Sequence, residues 1–180
     1  NTGIQALCNQ LKFTLTDFDH SPIEFSGSRL ELNQSELVSG SDIVFTGYDL
    51  YILDSNDLTD CSLDLNYGNI SIENDNDFIN SSITIGHPID EAAFIDIIGN
   101  DFDNDSTVTE NAVVTIEDYR NFRIDSNNFR YARGRGIELF NAGWDGREVQ
   151  QIAENAIELK QPSTSVWSDV GINVYCSKAN

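Results

Sequence analysis

Basic residues are scarce in this chain. Ten Lys and Arg stand against thirty Asp and Glu, a net charge of −20. No basic surface could track a phosphate backbone, which excludes nucleic acid as a partner. The same charge keeps the chain off an anionic membrane surface. No stretch reaches the ~18 apolar residues of a membrane span, so membrane insertion is not expected. Methionine is missing, including from position 1, and no signal peptide is recognisable, so the chain is expected to be a processed or excised piece of something longer. Cysteine is sparse and odd in number. Cys8, Cys61 and Cys176 show no metal-ligand spacing and decide nothing about the redox compartment.

What is abundant is repetition. Residues 94–102 read Phe-Ile-Asp-Ile-Ile-Gly-Asn-Asp-Phe, and residues 121–129 read Asn-Phe-Arg-Ile-Asp-Ser-Asn-Asn-Phe. Looser copies end on apolar anchors at Phe18, Leu37, Leu58, Phe78 and Ile157, so the steps between anchors are 19, 21, 20, 24, 27 and 28 residues. Asn56, Asn76, Asn100, Asn127 and Asn155 each stand two places before an anchor. A short-period repeat of this kind marks a solenoid or array.

Five and seven places before each anchor the residues are mostly apolar: Leu11 and Phe13, Leu30 and Leu32, Tyr51 and Leu53, Ile95 and Ile97, Phe122 and Ile124. This is the period-2 signature of a strand with one buried face. In the copy ending at Phe78 the pair is Ile70 and Ile72, shifted by one residue, which suggests a bulge. A second alternation lies upstream, as Ile43 and Phe45, Leu63 and Leu65, Ile83 and Ile85, or Val114 and Ile116. Each unit therefore holds two clear strands and a short third after the anchor. A sandwich gives no reason for an in-phase Asn-x-Phe phrase. A parallel β-helix does, because equivalent residues stack ~4.8 Å apart and Asn side chains can bond in ladders.

The repeat resembles that of the right-handed parallel β-helix superfamily, the fold of pectate lyases, polygalacturonases and many surface adhesins. The resemblance implies one all-β domain over residues 1–180, a right-handed parallel β-helix solenoid of about seven coils with three strands each. It implies an asparagine ladder in the turn between second and third strands, at Asn56, Asn76, Asn100, Asn127 and Asn155. In this register the outward residues Lys12, Glu31, Ile52, Ser71, Asp96, Arg123 and Gln151 stack, as do Asp103, Arg130 and Glu158, so opposite charges meet on neighbouring rungs. Cys61 falls about three coils from Cys8 and Cys176 farther still; at ~4.8 Å per coil no pair meets the ~7 Å Cα limit for an intrachain disulfide.

The resemblance does not fix a function, because the fold hosts lyases, hydrolases, adhesins and tailspikes. A polysaccharide lyase of this kind needs an Arg or Lys base, commonly on the outward face of the first strand. Here that face reads Val44, Asp64, Thr84, Thr115, Glu138 and Asn173, with no base. The paired-Asp, Gly-His-Gly and Arg-x-Lys motifs of the polygalacturonases are missing too. Asp101, Asp103 and Asp105 resemble the start of an EF-hand loop, but Ser106 and Ala112 stand where its Gly and Glu belong; a Ca²⁺ ion held by outward carboxylates is the one cofactor this suggests. Loops of the last coils are expected to bring Tyr119 and Arg120 beside Trp144, Asp145 and Arg147, an exposed aromatic edge suited to sugars. The expected function is a non-catalytic, structural or adhesive module of a secreted or cell-surface protein, binding a glycan or another domain. One alternative is a polysaccharide-degrading enzyme using Asp118, Glu138 and Asp145 as acid and base. Another is a filament or spike subunit built by coil-on-coil stacking.

Overall fold

The computed structural model describes residues 3–104, 112–131, 135–142, 150–159 and 170–175. Alternating Ile, Leu, Val and Phe cannot form a helical stripe, but it buries one face of a pleated strand. Every regular element among the described residues is accordingly a strand. The first three repeats each hold one long strand and one short one: β1 (Ile4–Thr14) and β2 (Asp17–Asp19), β3 (Ile23–Asn33) and β4 (Glu36–Val38), β5 (Ile43–Leu53) and β6 (Asp57–Thr59). Beyond them the long strand is split in two. The fourth repeat has β7 (Ser62–Tyr67), β8 (Asn69–Glu73) and β9 (Asp77–Ile79); the fifth has β10 (Ser82–Pro88), β11 (Phe94–Ile98) and β12 (Asp101–Asn104). The chain continues through β13 (Ala112–Glu117), β14 (Asn121–Asp125) and β15 (Asn128–Tyr131). It ends with β16 (Arg135–Phe140), β17 (Gln150–Ala153), β18 (Ala156–Leu159) and β19 (Val170–Tyr175).

All pairings between these strands are parallel. The short strands make a seven-stranded sheet in chain order, β2-β4-β6-β9-β12-β15-β18, and the rest make a curled sheet of twelve. Parallel strands need long crossovers, and here the rest of each repeat is the crossover. The result is an all-β, all-parallel, solenoid-like structure. The anchors form one column, Phe18, Leu37, Leu58, Phe78, Phe102, Phe129 and Ile157. Within it Phe102 stacks on Phe78 and Phe129 at centroid distances of 4.7 and 4.6 Å.

The asparagines form a ladder of buried hydrogen bonds. Asn56 Nδ2 donates to Asn76 Oδ1 at 2.7 Å, Asn76 to Asn100 at 2.8 Å, Asn100 to Asn127 at 3.0 Å, and Asn127 to Asn155 at 2.9 Å. The same oxygens accept backbone N–H groups from the preceding repeat. Ser35 continues the ladder by donating its N–H to Asn56 Oδ1 at 2.9 Å. A buried amide of this kind is stable only with all its partners present. Asn127→Ala is therefore expected to cost about 1–3 kcal/mol, the penalty for unpaired buried groups. An unchanged denaturation midpoint would mean that the ladder does not hold the turns together.

One register differs from the sequence expectation. In the copy ending at Leu58 the buried pair is Leu50 and Ile52, not Tyr51 and Leu53. Tyr51, not Ile52, therefore stacks between Glu31 and Ser71. The cause is the turn: two consecutive residues, Asp54 and Ser55, have positive φ, as do Asn74 and Asp75 in the next repeat, whereas Gly99 or Ser126 acts alone in later ones. The extra residue shifts the strand by one position. Elsewhere the outward pairs meet: Lys12 with Glu31, Asp96 with Arg123 at 3.1 Å, and Asp103 with Arg130 at 3.5 Å. Cys8 and Cys61 are free thiols; Cys8 is exposed, and burial pushes the Cys61 thiol up to about 11. Cys176 lies outside the described residues.

Candidate functional site

The aromatic edge expected around Tyr119 is not exposed at that residue. Tyr119 is fully buried, and its hydroxyl donates to the Gly68 carbonyl at 2.8 Å, two repeats back. Burial raises its phenol above the ordinary value. Its ring belongs to the hydrophobic core, so it is a core residue rather than a platform. Arg120 pairs with Glu91 of that turn, and the neighbouring Asn121 amide donates to the Glu91 carbonyl at 3.2 Å. Trp144, Asp145 and Arg147 lie outside the described residues.

Of the candidate acid–base carboxylates, Glu138 and Asp118 have structural partners, and Asp145 lies outside the described residues. Glu138 is only 6% exposed and accepts from Arg135 at 2.5 Å and from the Asn173 amide at 3.3 Å. Asp118 is exposed and accepts from the Asn141 amide at 3.3 Å. Asp103 is held by Arg130, and Asp105 is outside the described residues. Among the described residues no three His, Cys, Asp or Glu side chains are placed to hold a metal ion.

Asp101 belongs instead to a column of outward carboxylates. Asp17, Glu36, Asp57, Asp77 and Asp101 are register partners on successive strands of the smaller sheet, and all are exposed. Like charges directly opposite one another on neighbouring strands are destabilising. Asp77, between Asp57 and Asp101, has its pKa raised above the ordinary 3.8, first by desolvation and then by Asp101, Asp57 and Asp75. A carboxylate raised in the fold weakens the fold once it ionises, so this penalty is absent below the unfolded value and grows as pH rises through the folded one. Asp77→Asn is thus expected to stabilise the protein at neutral pH by about 0.2–1 kcal/mol. Thermal melts should show the gain shrinking with added salt and vanishing below pH 3.8.

A groove free of such charges lies at the corner where the first-strand and second-strand segments of each repeat meet. It has a volume of about 340 Å³ and is lined by Ser26, Gly27 and Ser28 of β3, Thr46, Gly47 and Tyr48 of β5, Tyr67 of β7, and Ile89. Gly27 and Gly47 are register partners there. Their bare Cα atoms allow the corner: a Cβ on Gly47 would fall 2.4 Å from the Gly27 carbonyl oxygen. Thr46 pairs with Asn66, and Asp49 with Asn69, so Gly47-Tyr48 lies against Tyr67-Gly68. Tyr48 thus has Gly68 opposite it, and Tyr67 has Gly47 on one side and Pro88 of β10 on the other. Tyr48 is 57% exposed, Tyr67 44% and Ile89 45%. Tyr67 adopts φ 85°, an unfavourable conformation for an aromatic residue, and its carbonyl accepts the Ile89 N–H at 2.6 Å. Strained residues of this sort concentrate at binding sites.

The sequence contains a signal for this corner in the 20-residue step between Gly27 and Gly47 and the 19-residue step between Tyr48 and Tyr67. A glycine between two alternating segments passes as an ordinary turn residue, which hides it. Comparison with known protein families, curated proteins and solved structures finds no match.

Proposed function

We propose that this chain is a right-handed parallel β-helix of about seven coils, three strands per coil, of the pectate-lyase-like kind. It acts as a non-catalytic structural and adhesive module of a secreted or cell-surface protein, with a glycan as its partner. Seven short strands paired in chain order support the coil count. The observation that carries the non-catalytic reading is the burial of the candidate carboxylate Glu138 between Arg135 and Asn173. A general acid needs a carboxyl that can reach a leaving group. The first-strand outward column, Val44, Asp64, Thr84, Thr115, Glu138 and Asn173, runs in register and carries no Arg or Lys of the kind a lyase needs. A glycan array followed by a reducing-end assay on the retained sugars tests the reading. Retention without new reducing ends is expected. New reducing ends would make the protein a polysaccharide-degrading enzyme, and no retention at all would remove the glycan partner.

A further inference from the structure

We propose that the corner groove between Tyr48 and Tyr67 is the glycan-binding site, and that it takes neutral sugars. The inference rests on the adhesive, glycan-binding reading above and adds its location and ligand class. In a chain of net charge −20, the residues lining this groove include no Asp, Glu, Lys or Arg. A uronic acid would find no cation there and would be repelled by the surrounding charge; an amino sugar would find no carboxylate.

What the lining does offer is complementary to a neutral pyranose. The Tyr48 and Tyr67 rings and Ile89 give apolar surface for the C–H face of a sugar. The hydroxyls of Ser26, Ser28 and Thr46 give donors and acceptors for its hydroxyls. The volume of about 340 Å³ suits a mono- or disaccharide unit of a longer chain. Gly47 opposite Tyr67 and Gly68 opposite Tyr48 leave the space between the two rings free of side chains. Tyr67 is held in a left-handed conformation where the chain turns from β7 into β8. A binding role accounts for a tyrosine at a position that Gly or Asn would occupy without strain.

The test is an array carrying neutral, uronic-acid and amino-sugar oligosaccharides, probed with the full chain and with Tyr48→Ala, Tyr67→Asn and Ile89→Ser. Asn tolerates the left-handed backbone, so Tyr67→Asn removes the ring without disturbing the chain path. Melting temperatures of the three variants are measured alongside. Retention is expected on neutral sugars, unaffected by salt. Tyr48→Ala and Tyr67→Asn should each weaken it by about tenfold or more, as loss of an aromatic anchor does, with melting temperatures held. Neutral-sugar binding that survives all three substitutions overturns the groove but leaves the glycan reading standing. Retention on uronic acids or amino sugars alone overturns the ligand class. No retention on any sugar overturns the proposal together with the reading beneath it.

Discussion

Phe102→Ala should lower the stability of the folded chain by about 3–5 kcal/mol, the largest effect expected of any single truncation here. Phe102 is completely buried, with one ring stacked on each side, Phe78 at 4.7 Å and Phe129 at 4.6 Å. The cost of such a truncation depends on whether the site can collapse. Here it cannot, because the backbone on both sides is fixed in register by parallel pairing of β12 with β9 and β15. Two rings would each lose a stacking partner in addition to the transfer free energy of the missing one. Chemical denaturation gives the number directly, and Phe102→Leu, which keeps most of the volume, should recover more than half of the loss. A cost below about 1 kcal/mol would mean that the column of anchors is not a packed core.

Gly47→Ala is expected to destabilise the protein by about 3 kcal/mol, at the upper end for overpacking. The added methyl would sit 2.4 Å from the Gly27 carbonyl oxygen and 2.8 Å from the Phe45 ring. The oxygen belongs to a backbone already paired on the neighbouring strand, so it cannot move aside. Gly40→Ala makes the control. Gly40 has φ 82°, yet a methyl added there would meet nothing within 4 Å, so only backbone strain of about 1–2 kcal/mol opposes that change. A larger loss at Gly40 than at Gly47, measured by the same denaturation, would contradict the close approach of the two corner backbones.

Much of this architecture is legible in the chain. The anchors and the asparagines two places before them identify parallel stacking, because only stacked repeats reward identical residues at identical phase. The register fails where alternation fails: Leu50, Tyr51, Ile52 and Leu53 are all apolar, so the pattern cannot say which pair faces inward. The positive φ of both Asp54 and Ser55 decides it. A second ladder is harder to see. Ser21, Ser41, Cys61 and Ser81 recur at steps of 20, with the Ser21 N–H donating to Ser41 Oγ at 3.1 Å and the Cys61 N–H to Ser81 Oγ at 3.0 Å. Small residues of mixed type carry too little contrast to announce a buried position. Tyr119 misleads for a different reason. It stands between Asp118 and Arg120 and reads as surface, while its partner, Gly68, is 51 residues away. No local pattern contains a contact of that range.

Whether the chain is a stack of parallel repeats can be read from a series of distances along one face. Spin labels placed pairwise at Asp17 and at Asp57, Asp77 or Asp101 sit on exposed positions of a single register column. With about 4.8 Å per strand the backbone separations should rise in even steps, to about 10, 14 and 19 Å. Stacked repeats require even increments of that size. A separation from Asp17 to Asp101 no longer than that from Asp17 to Asp57 would rule the stack out.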